Sequence, residues 1–138
     1  MSQERSVRCV VITPEETVVD ERVDSVVVPL YDGEFGIYPG RAPVLGRLGF
    51  GELRLYAGAL VKRLYVDGGF LQVKDDEVAV LTPWACPPEE LDEAAIRSKL
   101  QQTIRLVPRT VDEERARERE IDRAVGQLVV LRRAGSST

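Results

Sequence analysis

Residues 24–45 read DSVVVPLYDGEFGIYPGRAPVL, and this stretch decides the fold. Val26, Val27 and Val28 favour a pleated sheet, where branched side chains pack well against their neighbours. Asp32 and Gly33 then turn the chain. Beyond them, Gly36, Pro39, Gly40 and Pro43 leave few regular options. Each proline fixes φ and removes a donor, and each glycine admits angles that other residues avoid. The segment is shaped rather than periodic, as at a tight corner of an all-β domain.

The flanks read the same way. Upstream, Val7, Cys9 and Val11 alternate with Arg8, Val10 and Ile12, Thr13-Pro14 breaks the strand, and Thr17–Val19 returns antiparallel. Downstream, Leu53 and Leu55 alternate with Glu52, Arg54 and Tyr56, which describes a strand with one wet face. Gly49-Phe50-Gly51 reads as a bend. Leu60, Lys62, Leu64 and Val66 lead to Asp67-Gly68-Gly69, a turn signal, and Phe70–Lys74 and Val78–Thr82 follow as hairpin strands. Short strands at this spacing predict a flattened antiparallel β-sandwich over residues 1–86.

Near Pro83, Pro87 and Pro88 the apolar period changes from about 2 to about 3.6. Residues 87–138 are therefore expected to form a two-helix hairpin. Glu89, Glu90 and Asp92 are placed in the first turn of its first helix, facing the positive end of the dipole. That helix carries Ile96, Leu100, Ile104 and Val107, and Pro108 ends it. Thr110-Val111-Asp112-Glu113 has the spacing of a capping box that starts a second helix. Its stripe is Ile121, Ala124, Val125, Leu128 and Leu131, with an end expected before Gly135. From Asp112 to Glu120 only Ala116 is uncharged, so packing does little for this part, and the pair should detach more readily than a core element.

Composition bounds the rest. With 138 residues and 43% hydrophobic content the chain can bury a core. Its apolar runs are strand-sized, far below the roughly 20 residues of a membrane-spanning helix. Ser2–Arg8 is polar and does not resemble a signal peptide, so a cytosolic location is expected. A net charge of −4 argues against nucleic acid as the main ligand. Cys9 and Cys86 read as small buried hydrophobes rather than a disulfide. The absence of histidine excludes histidine bases, triads and histidine zinc sites.

No catalytic or metal-binding constellation emerges. Asp32 and Glu34 form an acid pair only on a corner that fixes no distance. Asp75, Asp76 and Glu77 lack the glycine and later glutamate of a calcium loop. No phosphate-binding loop of the GxxxxGK[ST] type is present.

Several pieces agree in order and spacing with one family. TPEETVVDERVDSVVVP, GEFGIYPGRAPV, YVDGGFLQVKDDEVAVLT, LDEAAIRSKL and AVGQLVVL together resemble the epsilon subunit of F-type ATP synthases over nearly the whole chain. The resemblance implies a non-catalytic rotor subunit without a cofactor. It implies partners in subunit gamma of the central stalk, the loops of the membrane c-ring, and the catalytic alpha and beta subunits. It also implies a peripheral location at the cytoplasmic face of the cell membrane, reached through the complex.

By position, the resemblance places Glu34 at the corner near the c-ring, and Tyr38, Gly40 and Arg41 on the edge facing gamma. Arg41 stands where the family usually has histidine, replacing a titratable ring by a permanent charge. The helices of the family fold against the sandwich or extend along gamma, and the extended form inhibits ATP hydrolysis. Some members bind ATP through [IL]DxxRA on the first helix and arginines on the second. Leu91, Asp92 and Arg123 match parts of that pattern, but Ala95 replaces its arginine and Gln127 another basic position. Weak or no ATP binding is expected, because a bidentate donor is lost. A competing class is a free-standing sandwich with a helical dimerisation tail, for which an aromatic content of 6% offers little stacking surface.

Overall fold

The computed structural model describes residues 5–136; the first four and last two residues of the expected domains lie outside it. Eight strands come first: β1 (Val7–Ile12), β2 (Thr17–Val23), β3 (Ser25–Leu30), β4 (Gly33–Ile37), β5 (Val44–Ala57), β6 (Leu60–Lys74), β7 (Glu77–Leu81) and β8 (Ala85–Cys86). Two helices follow, α1 (Glu93–Arg105) and α2 (Val111–Ser136). The sheet order is β2-β1-β7-β6-β5-β3-β4, with β8 on β6. The expected sandwich with a helical hairpin is therefore present. One pairing departs from the antiparallel expectation: β1 runs parallel to β7.

The two long strands β5 and β6 pair along their whole length and serve both layers of the sandwich. Their first and second halves present apolar faces inward, so Val7, Val11, Val78 and Val80 share one core with Val26, Val28, Ile37, Leu53 and Leu55. Each fully buried side chain of this size contributes about 1.5–3 kcal/mol by leaving water. Cys9 and Cys86 are both free and buried, as read from the sequence.

Three expectations for the sheet fail for physical reasons. Asp67-Gly68-Gly69 is not a turn: β6 runs straight through it, and its glycines, at φ 78° and 115°, bend a continuous strand. A Cβ on Gly69 would lie 1.9 Å from the Leu81 carbonyl oxygen, so close passage against β7 demands glycine here. Glu52 does not face water, because α2 covers that side of β5 and leaves it 3% exposed. Glu34 lies within β4 rather than on a turn.

The helices differ from expectation in register. Glu89 and Glu90 belong to a short 3-10 turn over Pro88–Glu90, and Asp92 is the N-cap of α1, accepting from the Ala95 amide at 3.1 Å. Thr110 caps α2 as expected, its Oγ1 accepting from the Glu113 amide at 3.0 Å. The helix does not stop before Gly135 but continues to Ser136. Lys99 meets Glu120, and Arg117 donates to the Ile104 carbonyl, so contacts advance along α1 as they recede along α2 and the pair is antiparallel.

The apolar stripe is shifted as well. Val130, absent from the expected stripe, is fully buried, while Val125, Ile104 and Val107 are exposed. The sheet, not α1 alone, selects the buried face of α2. Val130 packs with Tyr65, Cys86 and Leu91 into a second, small core between α2 and the sandwich.

Candidate functional site

Glu34 sits on β4, which among the described residues pairs only with β3 and so forms an edge of the sheet. Its carboxylate accepts from Arg54 Nη1 at 2.8 Å and Nη2 at 3.3 Å, and from Arg133 Nη1 at 2.8 Å. These hydrogen bonds, led by Arg54, outweigh partial burial and hold its pKa at about 2. The neighbouring Glu52 accepts through Oε1 from Arg54 at 3.1 Å and Arg63 at 3.0 Å, while its buried Oε2 has no hydrogen-bond partner among the described residues. Sequence spacing could not foresee this cluster, because its members come from β4, β5, β6 and α2.

Tyr38, Gly40 and Arg41 lie together on an exposed loop between β4 and β5. Gly40 has φ 84°, and its amide donates to Asp76 Oδ1 at 2.7 Å, which ties the loop to the β6–β7 turn. The Arg41 guanidinium stands 4.7 Å from the Phe35 ring centroid, a cation–π contact that leaves its outer face to solvent.

The loop leads directly into a surface that the sequence reading did not single out. Leu45 pairs with Gln72 and Arg47 with Phe70; Phe70 pairs with Leu81, and Leu81 with Ile12. Partners in register point to the same face. Leu45, Phe70, Leu81 and Ile12 therefore form an apolar row on the outside of one layer, at 81%, 64%, 45% and 36% exposure. Strand alternation alone would assign these outward positions to polar residues. The signal was present in the sequence as large apolar residues at out-facing parity, but only the register joins them.

The three candidate nucleotide residues are already engaged. Leu91 belongs to the second core, and Asp92 caps α1. Arg123 bonds Asp67 at 3.0 Å and Glu120, with its guanidinium 5.1 Å from the Phe50 ring centroid. A shallow cavity of about 230 Å³ between α1 and α2 is lined by Ala95, Lys99, Glu120, Arg123 and Gln127 among others. Lys99 and Arg123 both face Glu120 there, so little cationic capacity remains for phosphate. Among the described residues no group of three or more His, Cys, Asp or Glu side chains is set to hold a metal ion. No described helix is long and apolar enough to cross a membrane.

Phe50, Tyr65 and Gly126 were also missed as contact residues. Gly126 lies against the Phe50 backbone, where an added Cβ would approach the carbonyl oxygen to 2.2 Å. Tyr65, fully buried beneath the helix, donates its hydroxyl to Asp67 at 2.6 Å, and burial together with that bond pushes its pKa well up. A glycine in a helix and a tyrosine in a strand carry no such message until the two elements meet.

Residues 6–88 match the family described as "ATP synthase, Delta/Epsilon chain, beta-sandwich domain". An ATP synthase epsilon chain from Rhodopirellula baltica is 44% identical over 89% of this chain and 96% of its own length. One from Leptospira borgpetersenii is 40% identical over 71% of this chain and 77% of its own length. Among solved structures, a chain of the Euglena gracilis mitochondrial ATP synthase OSCP/F1/c-ring assembly superposes with a TM-score of 0.81 at 20% identity, over 91% of this chain and 81% of that chain. A chain of the Tetrahymena thermophila central stalk and c-ring does so with a TM-score of 0.72 at 13% identity, over 91% of this chain and 96% of that one. At these identities the structural likeness concerns the fold.

Proposed function

Because this chain belongs to the ATP synthase delta/epsilon family, we propose that it is the epsilon-type subunit of a rotor's central stalk, a non-catalytic adaptor rather than an enzyme. Residues 1–86 form its gripping domain and residues 87–138 a regulatory arm. The observation that carries this reading is the apolar row Leu45-Phe70-Leu81-Ile12, bordered by the Gly40–Arg41 loop. Large apolar side chains left open in a line across adjacent strands suit burial against another protein. That partner is the gamma-type subunit of the stalk, with Tyr38, Gly40 and Arg41 at the rim of the contact. Arg41 retains a charged face free to meet a carboxylate or backbone carbonyl there.

Glu34, at the edge strand of the other layer, faces the c-ring loops, and the protein reaches the cytoplasmic face of the membrane only through this assembly. In this reading the arm lies against the sandwich in one state. In another it extends toward the catalytic alpha and beta subunits and suppresses ATP hydrolysis. No cofactor is required, and ATP is at most a weak ligand of the α1–α2 cavity.

Equilibrium binding of the full chain to the gamma-type subunit of the same complex tests the reading. Phe70→Glu should abolish measurable binding and Arg41→Ala should weaken it, both with unchanged circular dichroism. Undiminished affinity in both variants rejects this interface. A wild-type chain that instead forms a stable homodimer through the same row would favour the dimerising module.

A further inference from the structure

The last turns of α2 reach the sheet through arginine. Arg133 donates to Glu34 and stands 3.7 Å from Glu52 Oε1. Further up the same helix, Arg123 pairs with Asp67. Between these two points lie the close passage of Gly126 over Phe50, a hydrogen bond between Gln127 and the Tyr65 hydroxyl, and the small apolar cluster around Val130. The outer half of α2, from Asp112 to Glu120, is largely solvated and adds little to the grip. Ion pairs therefore bracket the contact between helix and sandwich at both ends.

We propose that Arg133 with Glu34 and Glu52 forms an electrostatic latch holding the helical arm on the sandwich, and that its opening uncovers the Tyr65–Cys86 cluster while the sandwich stays folded. The proposal rests on the reading of the helices as a movable arm and names what holds that arm. The latch is built to open without stranding charge. When Arg133 leaves, Glu34 keeps Arg54, and Glu52 keeps Arg54 and Arg63. An ion pair whose carboxylates retain other partners avoids the large penalty of an uncompensated buried charge. Arg133 and Glu34 side chains are 44% and 41% exposed, so dissolved salt reaches the pair and screens it.

The two native thiols report the opening. Cys86 is 2% exposed within the cluster beneath α2, whereas Cys9 is fully buried in the separate core of the sandwich. The full chain is reacted with a maleimide, and the modified cysteine is located by mass spectrometry. Arg133→Ala and Glu34→Gln should each raise the Cys86 labelling rate about two- to fivefold, the range expected of a half-exposed ion pair. About 0.5 M sodium chloride should do the same for the wild type, and less for Arg133→Ala, in which the more buried Arg123–Asp67 pair remains. The double variant should label little faster than Arg133→Ala, since the two changes remove one interaction. Cys9 should stay unmodified throughout. Wild-type labelling of Cys86 in Arg133→Ala overturns the latch. Modification of Cys9 in step with Cys86 also overturns it, by showing that arm and sandwich open as one unit. Neither result touches affinity for the gamma-type subunit, which tests the proposed function separately.

Discussion

Replacing Gly126 by alanine isolates the docking of the arm from the stability of its helices. A Cβ at this position would lie 2.2 Å from the Phe50 carbonyl oxygen, 2.8 Å from the carbonyl carbon and 2.9 Å from the Phe50 Cβ. Ordinary carbon–oxygen contacts of this kind lie near 3.3 Å, so α2 must lift by about 1 Å or the strand must yield. Strand β5 is pinned on both sides by β6 and β3, which leaves the helix to move. Overpacking of this order costs about 1–3 kcal/mol. Alanine also stabilises a helix over glycine by about 0.8–1.0 kcal/mol, but that gain is the same whether the arm is docked or free. Only the clash distinguishes the two states. The docking equilibrium should therefore shift by the full 1–3 kcal/mol, roughly five- to 150-fold at 1.4 kcal/mol per factor of ten. The assay is maleimide labelling of Cys86 with Cys9 as internal control, alongside far-ultraviolet circular dichroism. Cys86 should label at least fivefold faster, Cys9 should remain protected, and helix content should be retained or rise. Cys86 protection equal to wild type would refute the reasoning, as would a loss of helix signal.

Other consequences can be measured directly. The pKa of Glu34 is about 2, below its ordinary 4.5, so its ion pairs stabilise the fold fully above pH 4.5 and are lost as pH falls toward 2. The difference in melting temperature between wild type and Glu34→Gln, followed by calorimetry, should hold steady above pH 5 and close below it. Gly69→Ala should destabilise the sandwich by about 3 kcal/mol or more, because φ is 115° and the new Cβ meets the Leu81 carbonyl. The melting temperature should then fall by more than about 10 °C. Titration calorimetry with ATP should show no micromolar binding, since Ala95 supplies no guanidinium and Arg123 is held by Asp67 and Glu120; a micromolar constant would reverse this expectation.

Legibility in the sequence followed the range of each interaction. The strands were readable because Val7, Cys9 and Val11, or Val26 and Val28, carry their burial in local alternation. The N-cap of α2 was readable because Thr110 and Glu113 are three residues apart in the chain and in space. Asp67-Gly68-Gly69 misled because the residues of a turn also serve a strand bent for close passage against its neighbour. Glu52 misled because the element that buries it, α2, lies far along the chain. The family-matched positions Glu34 and Arg41 could be named in advance, but not the partners Arg54, Arg133 and Phe35 that define their environments. The apolar row required the register of four strands, which no single segment contains.

Purification of the affinity-tagged chain from native membranes, with quantitative mass spectrometry of what accompanies it, tests the central claim most directly. The account predicts a gamma-type stalk subunit in equimolar amount together with catalytic alpha and beta subunits and c-ring protein, and loss of all of them with Phe70→Glu. Recovery of the chain as a free homodimer, without stalk or ring, would contradict it.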